Sequence, residues 1–187
     1  DAKLKIGFVG VTSGPAAGTP VVSDPGGTLI AAAREAGVRV ESVPGPSAVM
    51  AAVAASGLPA DEFTFVGFPP SRSKDRSVWF ERILKEPRLI VFFEAPHRIL
   101  VTLTELASRI GADAVVGVGR ELTKVHEEVF RGTLSEAREH FVEPRGEFTL
   151  VLEGRVEERG GAEPRAELSK EIQRLRAAGV PAREALP

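Results

Sequence analysis

Twice between positions 93 and 128 the sequence gathers acids, imidazoles and cations within a few residues of one another. The first group is Phe93-Glu94-Ala95-Pro96-His97-Arg98. Here Glu94, His97 and Arg98 follow directly on the apolar run LIVFF, so an acid, an imidazole and a guanidinium stand at what reads as the end of a buried strand. Such a set can move protons or contact phosphate. The second group, Arg120-Glu121-Leu122-Thr123-Lys124-Val125-His126-Glu127-Glu128, is denser still, but charge runs are mostly solvated, salt-bridged surface. Two Gly/Pro-rich stretches could bring backbone amides close to a ligand. They are Ala17-Gly18-Thr19-Pro20 with Ser23-Asp24-Pro25-Gly26-Gly27, and Pro44-Gly45-Pro46-Ser47. Each reads equally as a connecting loop or, at Ser47, a plain helix cap. Arg72, Lys74, Arg76, Arg82, Lys85 and Arg88 form a basic patch diluted by Asp75, Glu81 and Glu86, suited either to phosphates or to solvent.

The elements that must position these residues follow from periodicity and turn signals. Leu4–Val11 reads as a strand, Thr28–Ala36 as a helix stopped by Gly37, Val38–Val43 as a strand, and Ser47–Ala55 as a helix. This alternation argues for a parallel sheet with ligands beyond the carboxyl ends of its strands. After Ser56-Gly57-Leu58-Pro59 the pattern changes. Strands are expected at Phe63–Phe68, Arg88–Phe93, Ala114–Val118, Val125–Gly132 and Phe148–Leu152. The helices among them are Trp79–Lys85, Leu100–Ile110 and Leu134–Phe141, with a polar loop over Pro69–Ser77, and together these make a mixed sheet. Residues 1–58 are thus expected to form an amino-terminal α/β domain, 59–155 a mixed-sheet α/β domain, and 156–187 a linker and helical tail.

The chain has 187 residues, 43% of them hydrophobic, a formal net charge of −2 and no cysteine. That composition suits a globular protein and excludes disulfides and thiolate chemistry. With no overall positive excess, any nucleic-acid contact must be local. No apolar run approaches a membrane span, no secretory leader is evident, and His97, His126 and His140 lack zinc spacing, so neither membrane nor metal is expected. Dinucleotide and P-loop fingerprints are absent.

Read together, AGTPVVSDPGG, VPGPSAVMAAVAASGLPADEFTFVGFPP, FFEAPHR, RELTKVHEEVFRGTL and GEFTLVLEG resemble successive blocks of the ribosomal RNA small-subunit methyltransferase I family, within the tetrapyrrole methylase superfamily. The resemblance runs from Ala17 to Gly154. It implies a two-domain tetrapyrrole methylase-like fold of the class III methyltransferases, with the first domain incomplete. It also implies 2'-O-methylation of a cytidine in small-subunit (16S) ribosomal RNA with S-adenosylmethionine as cofactor, in a cytoplasmic homodimer. Carried over residue by residue, Gly18, Thr19, Pro20, Asp24 and Gly26 fall in the cofactor loop, and Ser47 and Ala48 line the methionine end. Phe93, Glu94 and Ala95 meet the adenine, and Thr149 and Leu150 make the last cofactor contact. Glu94, His97, Glu121, Lys124 and His126 are the unranked candidates for a base, and Arg72, Lys74, Arg76 and Arg98 for RNA contact.

In the family a strand with a VATPIGN-like loop and further segments precede the stretch starting here at Lys3. The SDAGTP block is changed to TSGPAAGTP, and the family's tail continues beyond Ala185. The chain is therefore expected to be truncated at both ends and to have weak or no activity by itself. Carbon methylation of a tetrapyrrole, or an inactive remnant that binds RNA or a partner, are the competing expectations.

Overall fold

A computed structural model spans the chain, and it describes residues 10–11, 17–18, 26–41, 45–154 and 174. The chain divides into two compact units, Asp1–Arg155 and Val156–Pro187. The sequence-based expectations for Leu4–Val9, Ser42–Val43, Thr19, Pro20, Asp24 and nearly all of the linker and tail lie outside the described residues.

Two short strands, β1 (Gly10–Val11) and β2 (Ala17–Gly18), pair antiparallel with each other. Helix α1 covers Gly26–Glu35 and helix α2 covers Ala48–Ser56. Ser47 caps α2, its Oγ accepting from the Met50 amide, and Gly57 ends it in the left-handed region with φ 63°. The parallel sheet expected in this part of the chain does not appear among the described residues. Val38–Glu41 forms no strand, and among the described residues of this part the only pairing is the antiparallel β1/β2 contact.

The remaining elements are β3 (Phe63–Phe65), α3 (Ser73–Ile83), β4 (Leu89–Glu94), α4 (Ile99–Ile110), β5 (Val115–Arg120), β6 (Glu128–Thr133), α5 (Leu134–His140) and β7 (Phe148–Leu152). The five strands form one mixed sheet in the order β3-β4-β7-β5-β6. Only β3 and β4 are parallel, because α3 carries the chain across between them; the other pairs run antiparallel. β7 lies centrally and all five of its residues are buried.

Alternation along the strands separates two apolar layers. On one face Ile90, Phe92, Val116, Val118, Phe148, Leu150 and Leu152 pack beneath Phe80 and Ile83 of α3, Ile99, Leu103 and Leu106 of α4, and Leu134 and Ala137 of α5. On the other face Leu89, Val91, Val151 and Leu122 pack with Val49, Ala52 and Val53 of α2. α2, expected within the amino-terminal domain, therefore lies against the strands of the following segment.

Most boundaries differ from the sequence expectation by one or two residues, β3 ends three residues early at Phe65, and two starts move further. α3 begins at Ser73, not Trp79, because its polar first turn, with Asp75 near the positive helix end, is itself helical. β6 begins at Glu128, not Val125, since Val125 stands in the loop, 88% exposed. No helix among the described residues is long and apolar enough to cross a membrane.

Candidate functional site

Register determines what comes together. At one end of the sheet the last rungs run Phe93–Thr149–Gly119–Val129 and Glu94–Phe148–Arg120–Glu128 across β4, β7, β5 and β6. Strand β4 leaves here into EAPHR, β5 leaves into ELTKVHE, and β7 enters from GEF. Three blocks far apart in sequence thus meet at one edge. Ala48 and Phe93 both pack against the apolar cluster on the α2 face, and Thr149, buried, pairs directly with Phe93. Leu150 is buried in the opposite layer. Gly18 lies in β2 and Gly26 is the first residue of α1.

The EAPHR segment is internally bonded. The Glu94 side chain is fully buried; Oε1 accepts from the Ala95 amide at 2.9 Å and pairs with Arg98 Nη2 at 2.8 Å. Its Oε2 accepts the Thr102 hydroxyl at 2.5 Å and lies 3.7 Å from Arg76 Nη1. Arg76 is buried too, donating to Glu105 at 2.6 Å and to Thr102 Oγ1 at 2.6 Å. Buried charges need such partners, and this acid has two cations and a hydroxyl. Glu94 is therefore an anchor, closed to a substrate hydroxyl. Arg76, expected on a flexible loop, points inward from α3, while Arg72 and Lys74 remain exposed. Arg98 reaches back to the Pro69 carbonyl at 3.2 Å and to Ser71 Oγ at 3.0 Å. His97 is exposed.

The ELTKVHE loop is built differently. Glu121 and Thr123 have φ values of 49° and 68°, left-handed conformations rare for residues with a Cβ and unfavourable for β-branched threonine. Several bonds hold them there. Glu121 Oε1 accepts from the Glu147 amide at 2.8 Å and from Lys124 Nζ at 2.9 Å, and Lys124 also reaches Glu147 at 3.0 Å. The Thr123 amide donates to Glu127 at 2.6 Å. The Glu147 amide, followed by the Lys124 ammonium, holds the Glu121 carboxyl below its ordinary pKa. For Lys124 partial burial opposes the charge, but its hydrogen bonds to Glu121 and Glu147 outweigh that and raise its pKa.

Two glycines make this geometry possible. A Cβ on Gly119 would overlap the Leu122 side chain, which folds back over it, and one on Gly146 would overlap the Glu121 side chain. His126, exposed beside the loop tip, has no hydrogen-bond partner among the described residues. Thr102, Glu105 and Glu147 escaped sequence reasoning. The signal for Thr102 was a polar residue at a core position of α4, beside Ile99, Leu103 and Leu106. Among the described residues no group of His, Asp and Glu could hold a metal ion.

Comparison with known proteins places this architecture. The chain is 42% identical over 166 residues to a ribosomal RNA small subunit methyltransferase I of Synechocystis sp., covering 88% of this chain and 60% of that protein. It is 49% identical over 141 residues to the protein of the same name from Thermotoga maritima, covering 74% and 63%. The chain thus spans less than two thirds of these curated relatives' length. Among solved structures, diphthine synthase superposes with a TM-score of 0.56 at 17% identity, covering 72% of this chain and 57% of that one. The methyltransferase CobJ gives 0.52 at 20%, covering 74% and 64%. Both likenesses show the fold. Residues 14–138 match the family model of the Tetrapyrrole (Corrin/Porphyrin) Methylases, and the chain belongs to that family.

Proposed function

We propose that this chain forms part of an S-adenosylmethionine-dependent methyltransferase acting on the 2'-hydroxyl of a cytidine in small-subunit ribosomal RNA. The observation that carries the reading is the meeting of EAPHR, ELTKVHE and GEFT at one end of the sheet, where the topology gathers the blocks that resemble that branch. Relatives named for small-subunit RNA methylation, at 42% and 49% identity, support it.

When bound, S-adenosylmethionine supplies a methyl group on a sulfonium. The residues here are compatible with holding it on the α2 face. Ala48 and Phe93 share an apolar cluster, and Thr149 pairs with Phe93. The Phe93 amide already donates to Gly67 and the Ala95 amide to Glu94, so an adenine there would meet the ring or carbonyl oxygens in preference to these two N–H groups. Gly18, Thr19, Pro20, Asp24, Gly26 and Ser47 complete the proposed cofactor set, with Leu150 through its backbone alone, since its side chain is buried in the opposite layer.

Direct displacement requires the ribose oxygen in line with the methyl carbon, so positioning supplies much of the rate, and a nearby acceptor takes the hydroxyl proton. Of the candidates, Glu94 is enclosed by arginines, and Glu121 and Lys124 are bonded to each other. His126 and His97 are the exposed groups able to take the proton. Arg72 and Lys74 are proposed to neutralise RNA phosphates. A cytoplasmic homodimer, with residues 1–58 and 59–155 as domains joined through α2, completes the proposal.

The test is methyl transfer from labelled S-adenosylmethionine to small-subunit RNA and, in parallel, to a tetrapyrrole, with nucleoside analysis of the RNA product. Label on a cytidine ribose supports the reading. Label on a tetrapyrrole and none on RNA would replace it with carbon methylation.

A further inference from the structure

The segment joining β3 to α3 carries a feature that the methyl-transfer reading leaves unused. Phe68 is 48% exposed, and it is the one aromatic ring among the exposed large hydrophobic side chains described. It does not hang loose. Its ring stands 5.4 Å from that of Phe93, which in turn meets Phe65 edge-on at 4.9 Å, so an aromatic row leads out of the sheet end to the surface.

The backbone beneath is fixed at successive points. The Gly67 carbonyl accepts the Phe93 amide at 2.9 Å, the Pro69 carbonyl accepts from Arg98 at 3.2 Å, and Ser71 Oγ accepts from Arg98 at 3.0 Å. A longer contact, 3.5 Å, joins the Pro70 carbonyl to Arg76. Immediately beyond stand Arg72 and Lys74, exposed and without an ion pair among the described residues, with Asp75 the nearest acid in sequence. An exposed ring packed against a second ring and followed by two cations without an ion pair among the described residues is the pairing that holds single-stranded nucleic acid, the ring stacking on a base and the cations meeting the backbone. Bases in an RNA duplex are stacked on one another and closed to such a ring.

We propose that the segment Gly67–Lys74 seats an unpaired RNA nucleotide, with Phe68 as the stacking face and Arg72 and Lys74 as the phosphate contacts. This rests on the RNA reading above and sharpens it to a single-stranded substrate. Arg98 serves as the positioning residue, holding Pro69 and Ser71 so that the ring and the cations keep a fixed separation.

The experiment measures binding of the chain to a single-stranded small-subunit RNA oligonucleotide, and to the same sequence as a duplex, across a salt series. Variants Phe68→Ala, Phe68→Leu and Phe68→Trp are compared with Arg72→Ala/Lys74→Ala. Phe68→Ala is expected to weaken single-strand binding about ten-fold without changing the salt slope. Phe68→Trp retains binding and Phe68→Leu does not, while the double Ala variant flattens the slope. Leu restoring full affinity would overturn the stacking role, because apolar bulk alone would then suffice, and so would Phe68→Ala binding as the parent does. A loss of S-adenosylmethionine affinity in Phe68→Ala, with RNA binding intact, would assign the ring to the cofactor and end the proposal. If the parent binds RNA but the variants do not differ, the seat fails and the RNA reading stands; if the parent binds neither RNA, both fail.

Discussion

EAPHR and ELTKVHE look alike as sequence, each a short run of acids, cations and a histidine following a strand, yet they are opposites in the folded chain. In the first, the carboxylate of Glu94 is fully buried and its charge is met by Arg76 and Arg98. In the second, the charges hold a left-handed backbone at Glu121 and Thr123 near the surface, with His126 exposed. The former ties strand β4 to helices α3 and α4 through buried ion pairs, and the latter leaves Thr123 and His126 exposed. Charge pattern alone cannot distinguish these roles, because burial sets them.

The largest effect expected from this contrast is at Glu94. Glu94→Ala leaves two guanidinium groups facing an empty carboxylate position, and breaking such a buried pair typically costs about 3–5 kcal/mol. Denaturant unfolding checks this, and a loss under about 1 kcal/mol, the scale of an exposed ion pair, would put Glu94 in the same class as the loop acids. Next is Thr102→Val, which preserves shape but removes the hydroxyl that accepts from Arg76 and donates to Glu94. An unsatisfied buried partner costs about 1–3 kcal/mol, read by the same method.

In the other region the sign reverses. Thr123→Gly removes a Cβ from a left-handed backbone, so stability should rise or hold within about 1 kcal/mol. Stabilised protein with diminished methyl transfer would mark the loop geometry as functional.

The smallest effect concerns pH. Glu121 has a depressed pKa, so its contribution is complete above the ordinary carboxylate value of about 4.3 and disappears as pH falls through the lowered one. Lys124 has a raised pKa, so its contribution is complete below about 10.4 and disappears as pH rises through the raised value. Both side chains are partly buried, 22% and 26% exposed, in a surface loop, and each contribution is about 1 kcal/mol or less. Amide exchange at Glu147 should accelerate beyond its intrinsic pH dependence at both extremes in the parent, whereas Glu121→Gln should lose the acid-side change.

Much of the sheet was legible because its strands are short apolar runs bounded by Gly, Pro and charge. Phe148–Leu152 matches its expected range, and Leu134, Ala137 and Thr133 show the capping and spacing that mark α5. Less legible were elements whose residues serve partners distant in sequence. The polar run Ser73–Ser77 reads as loop until Arg76 is seen to reach Glu105 on α4. Val125 reads as strand because it is β-branched, yet the bonds of Glu121, Thr123 and Lys124 hold the chain in a turn at that point. The site divided in the same way. The motifs named the three loops, but which charges face inward depends on Thr102, Glu105 and Glu147, and no local pattern connects these residues to the motifs.

If EAPHR, ELTKVHE and GEFT form one methyl-transfer site at the shared end of β4, β5 and β7, S-adenosylmethionine must reach all three segments at once. Hydrogen exchange of the chain with and without saturating S-adenosylmethionine tests it most directly. Added protection is expected at Phe93–Ala95, Glu121–Glu127 and Glu147–Thr149; binding with protection confined instead to the groove of Thr64, Val66 and Arg82, with those three segments unchanged, would rule out a shared site there.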